Sequence, residues 1–251
     1  RQSLEAEVRF LAQLPLIAHP GESWNYSIST DVLGAIIEQV TGKRLGVYLD
    51  EIIFQPLNMQ NTFFQIPTDD LKSASEIYTT ATAPQLATID VESDIDWKII
   101  RSPLNARRTR VPNCDSGGGC LFASVNDFAK YLAMIANGGK LNGVRVLSEE
   151  SMQLHLRDQT TKMLPEAFRR GFGDDASSYM KFAAGFGRKM DVNKENNSES
   201  VDYFFWGGAA KTFFWVDVDN GTIGVFATQL APSLYNFSNT IEEIVDQAQI
   251  K

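Results

Sequence analysis

Apolar residues recur at the spacing of an α-helix after residue 28, and Ser29 or Thr30 is placed to cap that helix. Gly42 stands where a left-handed glycine commonly ends a helix. The face predicted to be buried consists of Val32, Leu33, Ile36, Ile37 and Val40. A second helix is predicted to follow and to end before Pro56. Its apolar face consists of Leu45, Tyr48, Leu49, Ile52 and Ile53.

The middle of the chain is weakly periodic and then becomes helical again. Residues 67–115 favour long connections with short elements, a pattern common in functional rims. Ser124, with Asp127 three residues later, is typical of a capped helix start. The apolar face of that helix consists of Phe128, Tyr131, Leu132 and Ile135. Ser148 is predicted to cap another short helix, which reaches roughly Leu156.

The pattern changes to β-strands in the last third of the chain. Strands are predicted over residues 182–187, 201–205, 212–218 and 222–228, with a polar loop over 191–200. Asp219-Asn220-Gly221 joins the last two strands and indicates a hairpin, because Asn-Gly tolerates positive φ. A final helix is predicted after a cap at Ser238 or Asn239. Its inward residues are Ile241, Ile244, Val245 and Ala248.

Helices first, antiparallel strands next and a closing helix predict an α+β fold. Residues 1–160 form the mainly helical region, and residues 161–251 carry the strands and the last helix. The composition, 43% hydrophobic and 22% charged, supplies enough apolar material for a substantial core.

The charge balance narrows the range of partners. A formal net charge of −8 argues against general affinity for nucleic acid, because the phosphate backbone requires a basic surface. For one basic stretch, a solvated loop with scattered ion pairs is favoured over recruitment of an anionic substrate. That stretch contains Arg101, Arg107, Arg108 and Arg110. No run of residues is long and apolar enough to span a bilayer.

Cysteine and histidine residues form no recognisable metal or redox motif. Cys114 and Cys120 bracket a serine and three glycines, and two cysteines supply neither a disulfide framework nor a zinc site. Free, partly buried thiols are favoured, with a loop-closing bridge as the alternative. His19 and His155 have no obvious partners, so both are interpreted as structural.

One segment is more specific than the rest of the chain. It contains Trp24-Asn25-Tyr26-Ser27-Ile28, the first helix, Gly42-Lys43, the second helix and Gln55-Pro56-Leu57-Asn58-Met59. This segment resembles the tyrosine motif of the superfamily of serine β-lactamases, penicillin-binding proteins and related esterases. The resemblance covers about residues 14–229. It implies a β-lactamase-like fold, with a helical region beside an antiparallel sheet, and acyl transfer through a serine without metal or organic cofactor.

The resemblance assigns Tyr26 the role of base relay and places Ser27 in the substrate pocket. A phenol acts as a base at neutral pH only beside a positive charge, which the family's lysine supplies. Many members carry Asn two residues after the tyrosine, whereas Ile28 stands there in this chain. That departure favours the esterase-like branch (family VIII carboxylesterases) over β-lactam hydrolysis. The alternative is that Tyr26 is an interfacial aromatic residue at a helix start.

Trp206-Gly207-Gly208-Ala209 resembles the family's third motif, which is Trp-Gly-Gly in many esterase-like members. Glycines there let a substrate approach the strand backbone closely. By resemblance, the backbone N–H of Ala209 is an oxyanion donor, and Trp206, Gly207 and Gly208 line the pocket. The alternative is a glycine-rich strand entry without a ligand. Neither this segment nor residues 116–119 has the spacing of a phosphate-binding loop.

The family's nucleophile comes from a Ser-x-x-Lys motif upstream of the tyrosine, and no such motif precedes Tyr26 in this sequence. We therefore expect the nucleophile, the N-terminal helix and the first strands to lie elsewhere, which leaves one incomplete domain that is inactive alone. A second polypeptide, a cleaved piece or a dimer partner would fill the space. The literal match from Ser178 to Lys181 is disfavoured, because it follows Tyr26 and runs into a predicted strand.

Two functions from different classes follow. The favoured one is a serine hydrolase acting on small-molecule carboxylic esters, with β-lactams and other amides second. The alternative is a binding module that lost its nucleophile and holds a ligand or a partner protein. A Ser-x-x-Lys motif upstream in the intact product would favour the enzyme. The compartment, bacterial cytoplasm or periplasm, is left open.

Overall fold

The computed structural model describes residues 3–80, 99–109, 111–112, 114–160, 180–190, 201–231, 241, 244 and 245. Its α-helices are α1 (Leu4–Leu11), α2 (Ser29–Thr41), α3 (Leu45–Leu49), α4 (Ala106–Thr109), α5 (Val125–Ala136) and α6 (Glu149–Leu156). A π-helical segment, Asp50–Phe54, continues α3, and two 3₁₀ segments cover Thr68–Lys72 and Pro103–Asn105. In these ranges no helix has the length and apolar character needed to cross a membrane.

Among the described residues, the main antiparallel sheet has five strands in the order β11-β10-β9-β8-β7, so each strand pairs with its neighbour in the chain. These strands are β7 (Met180–Phe182), β8 (Gly187–Met190), β9 (Val201–Gly207), β10 (Phe213–Asp217) and β11 (Thr222–Phe226). Three small antiparallel pairs accompany it. They join β1 (Thr62–Phe63) to β4 (Phe122–Ala123), β2 (Tyr78–Thr80) to β3 (Ile99–Arg101), and β5 (Lys140–Leu141) to β6 (Val144–Arg145).

The sheet separates two apolar clusters, because successive side chains of a strand point to opposite faces. Phe204, Phe214 and Val216 are buried in the inner cluster together with residues of α5 and α6. Phe205 and Trp215 are buried in the smaller outer cluster. The helical residues packed against the outer cluster are Ile241 and Val245. The inner face of the sheet therefore meets the helical layer, as expected for an α+β fold.

A row of glycine and aromatic residues crosses the outer face and matches the strand register. Gly187 pairs with Phe205, Phe205 pairs with Trp215, and Trp215 pairs with Gly224. A Cβ on Gly224 would lie 2.1 Å from the Trp215 ring, and one on Gly187 would lie 2.8 Å from the Phe205 ring. Each glycine therefore gives the neighbouring ring room to lie across the strand.

The helical prediction for α2 is correct, but most of its predicted buried face is exposed. The exposed fractions are 57% for Leu33, 52% for Ile36 and 79% for Val40. The helix packs instead through Gly34, Ala35 and Ile37, the last two against the cluster of Leu4, Leu45 and Cys114. A Cβ on Gly34 would lie 3.0 Å from Leu45 Cδ2 and 3.3 Å from Leu4 Cδ1. The predicted cap is also displaced, because α2 begins at Ser29 with Ile28 in the N-cap position.

The strand predicted over residues 182–187 is instead the hairpin between β7 and β8. Gly185 adopts a φ of 101°, which ends the extended conformation. The N–H of Ala183 donates to the carbonyl of Phe186 at 2.8 Å across the turn. Residues 183–186 therefore form a turn, although the small and aromatic residues in this run are typical of a strand.

The remaining elements largely follow the prediction. Ser124 and Ser148 cap α5 and α6 through their side chains. The last three predicted strands correspond to β9, β10 and β11. Neither Cys114 nor Cys120 forms a disulfide, and Cys114 is buried whereas Cys120 is exposed. In the final helix, Ile244 is exposed and not inward as predicted.

Several predictions fall outside the described residues. They concern Ser178, the loop at 191–200, the cap at Ser238 or Asn239, Ala248 and Arg110. The boundary between residues 1–160 and 161–251 stays a prediction. In the basic stretch the predicted ion pairs are present, because Arg101 and Arg108 both contact the carboxylate of Glu76. The predicted loop is wrong, since Arg101 lies on β3 and Arg107 and Arg108 lie on α4.

Candidate active site

Tyr26 lies in the loop before α2 and takes part in a closed cluster of four aromatic side chains, the aromatic cluster. Its ring stacks on Trp24 with the ring centroids 6.1 Å apart, and lies 5.8 Å from the ring of Trp206. Phe182 completes the cluster at 5.2 Å from Trp206 and 5.1 Å from Trp24. The fold thus brings the tyrosine segment against the end of β9.

The phenol of Tyr26 is held by ring contacts alone among the described residues. The residue is 71% exposed, and its hydroxyl has no hydrogen-bond partner within the described part of the chain. Ring contacts restrict the side chain, while the oxygen stays accessible. This is the state that a group needs if it is to exchange a proton with a ligand.

Residues 208–212, which follow β9, form a tight turn that is closed by backbone hydrogen bonds. The N–H of Gly208 donates to the carbonyl of Thr212 at 2.9 Å, and the N–H of Lys211 donates to the carbonyl of Gly208 at 2.9 Å. Lys211 adopts a φ of 58°, in the left-handed region that lysine rarely enters. The hydroxyl of Thr228 donates to the carbonyl of Ala210 at 2.6 Å. The backbone of the turn is therefore fixed in advance of any ligand.

Ala209 lies at the exposed tip of this turn. Its N–H donates to no acceptor in the described ranges. A fixed, unpaired backbone N–H at an open position is the kind of donor that stabilises developing negative charge on an oxygen. The geometry is therefore compatible with the predicted oxyanion donor.

The two glycines of the turn are also required by the turn itself. A Cβ on Gly207 would lie 3.0 Å from the carbonyl oxygen of Thr212, and one on Gly208 would lie 2.4 Å from Thr212 Oγ1. Both distances are too short for a side chain without movement of Thr212. Packing against Thr212 is therefore a second reason for glycine at these positions, in addition to the close approach of a substrate that the sequence predicts.

Ser27 stands next to Tyr26, and its side chain serves the start of α2. Its Oγ lies 2.5 Å from Ser29 Oγ and accepts the N–H of Ser29 at 3.2 Å. It thereby satisfies one N–H at a helix start that has no side-chain cap of its own. The pocket role of Ser27 stays a prediction.

The glycine run after Ser116 supports the beginning of α2. Ser116 Oγ donates to Asp31 Oδ1 at 2.6 Å, and both residues are buried. A Cβ on Gly117 would lie 2.1 Å from the carbonyl oxygen of Thr30. Only glycine therefore fits this approach, and the run positions the helix that follows Tyr26.

Asp115 ties the same segment to α3. Its carboxylate accepts hydrogen bonds from Arg44 Nε at 2.8 Å, Arg44 Nη2 at 2.7 Å and the N–H of Gly46 at 2.9 Å. The hydrogen bond to Asp115 raises the pKa of Arg44. Three hydrogen bonds to one buried carboxylate fix the segment around Asp115 rigidly against the start of α3.

Other titratable groups fit structural roles. Burial raises the pKa of Tyr131 to about 12 and lowers the pKa of His155. The His155 ring packs edge-on against Phe186 at 4.8 Å, as expected for a structural histidine. Within the described residues, no group of three or more His, Cys, Asp or Glu side chains is arranged to hold a metal ion.

Two residues of the site were missed by the sequence analysis. Phe182 was assigned only to a strand, and Thr212 was not assigned to the site. The signal for Phe182 was Gly185, which marks a turn and so brings the residues before it near the end of β9. No local signal identifies Thr212, because its contact with Gly208 depends on the shape of the turn.

The chain belongs to the Beta-lactamase family, whose model matches residues 2–249. Protein Rv1367c of Mycobacterium tuberculosis is 28% identical to it over 231 residues, which are 89% of this chain and 53% of that protein. Esterase EstB of Burkholderia gladioli is 43% identical over 61 residues, 24% of this chain and 16% of EstB. The resemblance to the serine β-lactamase and penicillin-binding-protein superfamily is thereby confirmed.

A solved structure shows the same fold. EstCE1, described as a hydrolase with promiscuous acyltransferase activity, superimposes with a TM-score of 0.68 at 23% identity. The match covers 91% of this chain and 57% of EstCE1. The β-lactamase-like α+β fold is confirmed. The chain spans about half the length of Rv1367c and EstCE1.

Proposed function

We propose that this chain supplies the base relay, one oxyanion donor and a pocket wall of a serine hydrolase that works through an acyl-enzyme. The observation that carries the proposal is the contact between Tyr26 and Trp206, whose rings lie 5.8 Å apart although they belong to two separate motifs. The unpaired N–H of Ala209, three residues after Trp206, supports it.

In this mechanism Tyr26 acts as a phenolate beside the positive charge of the Ser-x-x-Lys lysine. It accepts the proton of the serine hydroxyl, and the serine oxygen forms a bond to the acyl carbon. The carbonyl oxygen becomes negative and accepts hydrogen bonds from the N–H of Ala209 and from the serine's own N–H. Collapse of this intermediate expels the alcohol, which takes the proton. Trp206, Gly207, Gly208 and Ser27 then border the acyl group.

We assign the serine to a Ser-x-x-Lys segment outside residues 1–251, either in the same polypeptide or in a second one. The exposed apolar face of α2 supports a covering segment. Leu33, Ile36 and Val40 share one helix face, and Ser29 stands at its N-terminal end beside Tyr26. A stripe of large exposed apolar residues is usually a contact surface. This stripe begins at the candidate site.

Carboxylic esters are the substrates that the chain fits best. EstB is named an esterase, and EstCE1 is described as a hydrolase. Ile28 stands where many β-lactam-hydrolysing members carry Asn, which favours an ester over a cyclic amide. The competing function is a binding module, which would be favoured if the complete gene product had no Ser-x-x-Lys motif upstream of Tyr26.

The test is active-site labelling of the complete gene product with a fluorophosphonate, followed by mapping of the adduct by mass spectrometry. The proposal predicts one adduct, on the serine of a Ser-x-x-Lys motif outside residues 1–251. An adduct on Ser178 would contradict the assignment of the nucleophile. No adduct at all would favour the binding module.

A further inference from the structure

Arg188 is a buried cation without a hydrogen-bonded counter-charge in the described residues. It lies on β8, is 8% exposed, and its Nε has no hydrogen-bond partner. Its guanidinium carbon lies over the Phe204 ring, 5.9 Å from the ring centroid. Arg108, whose Nε is also buried and unpaired, differs because its terminal nitrogens bond to Leu71, Ala74 and Glu76.

The neighbours of Arg188 add positive charge. Lys181 is directly opposite on β7, so both side chains lie on the inner face of the sheet with Phe204. Asp158 is the described carboxylate that contacts Lys181, at 3.3 Å. Its other oxygen accepts the N–H and the hydroxyl of Thr160, both at 2.8 Å. Asp158 is therefore engaged by Lys181 and Thr160, and it forms no hydrogen bond or ion pair with Arg188.

The state of Asp158 agrees with this arrangement. Burial alone would raise its pKa, but the hydrogen bonds from Thr160 and Lys181 outweigh burial and lower the pKa. His155, which packs beside Phe186, contributes no positive charge near neutral pH, since burial lowers its pKa. Asp158, Lys181 and Arg188 are thus one carboxylate and two cationic side chains, and the carboxylate pairs with Lys181 and not with Arg188.

An arginine in a protein does not escape burial by losing its proton, so a buried guanidinium needs an anion to satisfy it. We propose that Arg188 anchors a subsite for a small carboxylate. A carboxylate in the plane of the guanidinium takes two parallel hydrogen bonds, and binding in that plane does not require the contact with the Phe204 ring to be broken. Lys181, with a side chain 36% exposed, marks the open side.

The subsite lies next to the candidate active site without depending on it. Arg188 is opposite Phe204 on β9. Trp206 lies two residues farther along β9 on the same face, about 7 Å from Phe204 by strand geometry. A carboxylate bound there is either part of an acidic substrate or the acid that ester hydrolysis releases. Binding itself requires neither Tyr26 nor a nucleophile.

The test is a titration of the purified chain with sodium acetate at constant ionic strength, with chloride as the exchanged anion. Thermal unfolding and the Nε–H signals of the ¹⁵N-labelled arginines are recorded. At about ten times the Kd of acetate, the Tm should rise by about 3–6 °C, and one Nε–H signal should shift to saturation. Both responses should vanish in Arg188→Gln and persist in Lys189→Gln. Lys189 is the matched control, an exposed cation on the next residue of β8.

Two further variants keep the test decisive. Arg188→Met removes the charge and should raise the Tm in the absence of acetate, because no unpaired charge is then buried. Arg188→Lys keeps the charge and should respond to acetate more weakly than the wild type. The proposal is overturned if acetate changes neither signal, if Lys189→Gln loses the response equally, or if chloride acts as well as acetate. A lowered Tm in Arg188→Met would also overturn it, since Arg188 would then already have a carboxylate partner within the chain.

Discussion

Substitution of Gly117 by alanine should separate the glycine run from the start of α2. The new Cβ would lie 2.1 Å from the carbonyl oxygen of Thr30, 2.8 Å from its carbonyl carbon and 3.3 Å from Asp31 Cα. All three obstacles are backbone atoms, so no rotamer change relieves the overlap. The segment must move away, and the buried hydrogen bond from Ser116 to Asp31 is stretched or lost.

The expected cost is at the upper end of the range for overpacking, about 3 kcal/mol. For a chain of this size, each kcal/mol lowers the Tm by about 2–4 °C, so the variant should melt about 6–12 °C lower. Urea unfolding followed by circular dichroism gives the free energy of unfolding directly. The slope with urea should stay unchanged, since the surface exposed on unfolding is the same.

The matched control is Gly119→Ala, two residues away in the same run. A Cβ on Gly119 meets nothing within 4 Å, and the residue does not adopt positive φ. Its stability should be unchanged or higher by up to about 1 kcal/mol, because alanine restricts the unfolded chain. Equal effects of the two substitutions would refute the packing described for α2.

Three further substitutions test other parts of the structure. Gly224→Ala should cost about 3 kcal/mol in urea unfolding, because its Cβ would overlap the buried Trp215 ring, and an unchanged midpoint would refute the register. Asp115→Asn should cost about 2 kcal/mol through weaker bonds to the half-exposed Arg44, and a neutral result would show that this link is not rigid. His155→Gln should flatten the fall of stability below about pH 6.5.

The sign of the His155 effect follows from its burial. Because burial lowers the pKa of the folded state, the unfolded chain takes up the proton first as the pH falls. The contribution of His155 to the free energy of unfolding is therefore fully present above the ordinary histidine pKa of 6.5. It decreases as the pH falls from there toward the lower pKa of the folded state. Unfolding midpoints measured between pH 8 and pH 5 test this, and an identical pH dependence in the variant would contradict it.

Much of the sheet was predictable because its signals are local. The β10–β11 hairpin follows from Asn220-Gly221, and Gly221 adopts a φ of 66°. The caps of α5 and α6 likewise depend on residues within three positions of each other. Such features depend on residues that are close together in the sequence, so they can be predicted from the sequence alone.

The buried face of α2 could not be predicted in the same way. Periodicity identifies the apolar stripe of Leu33, Ile36 and Val40, but it does not say which partner covers that stripe. In the structure the close approach goes to Gly34, which has no side chain and carries no periodic signal. Burial there depends on Leu4 and Leu45, whose positions only the tertiary structure gives.

The aromatic cluster shows the same limit. Tyr26 and Trp206 were each assigned from a separate motif, and the structure brings their rings into contact. Phe182 joins them only because a hairpin turns back at Gly185. The unpaired guanidinium of Arg188 was equally invisible, since burial and the lack of a partner are properties of the fold.

The most direct test of the central claim is the hydrolysis rate of a p-nitrophenyl ester by the complete gene product, compared between wild type and Tyr26→Phe. Tyr203→Phe is the control, because Tyr203 belongs to the outer face of the sheet. If Tyr26 relays the proton, its loss should lower kcat by about 10²–10⁴, with KM little changed. The control should keep its activity. A Tyr26→Phe variant as active as the wild type would contradict the account.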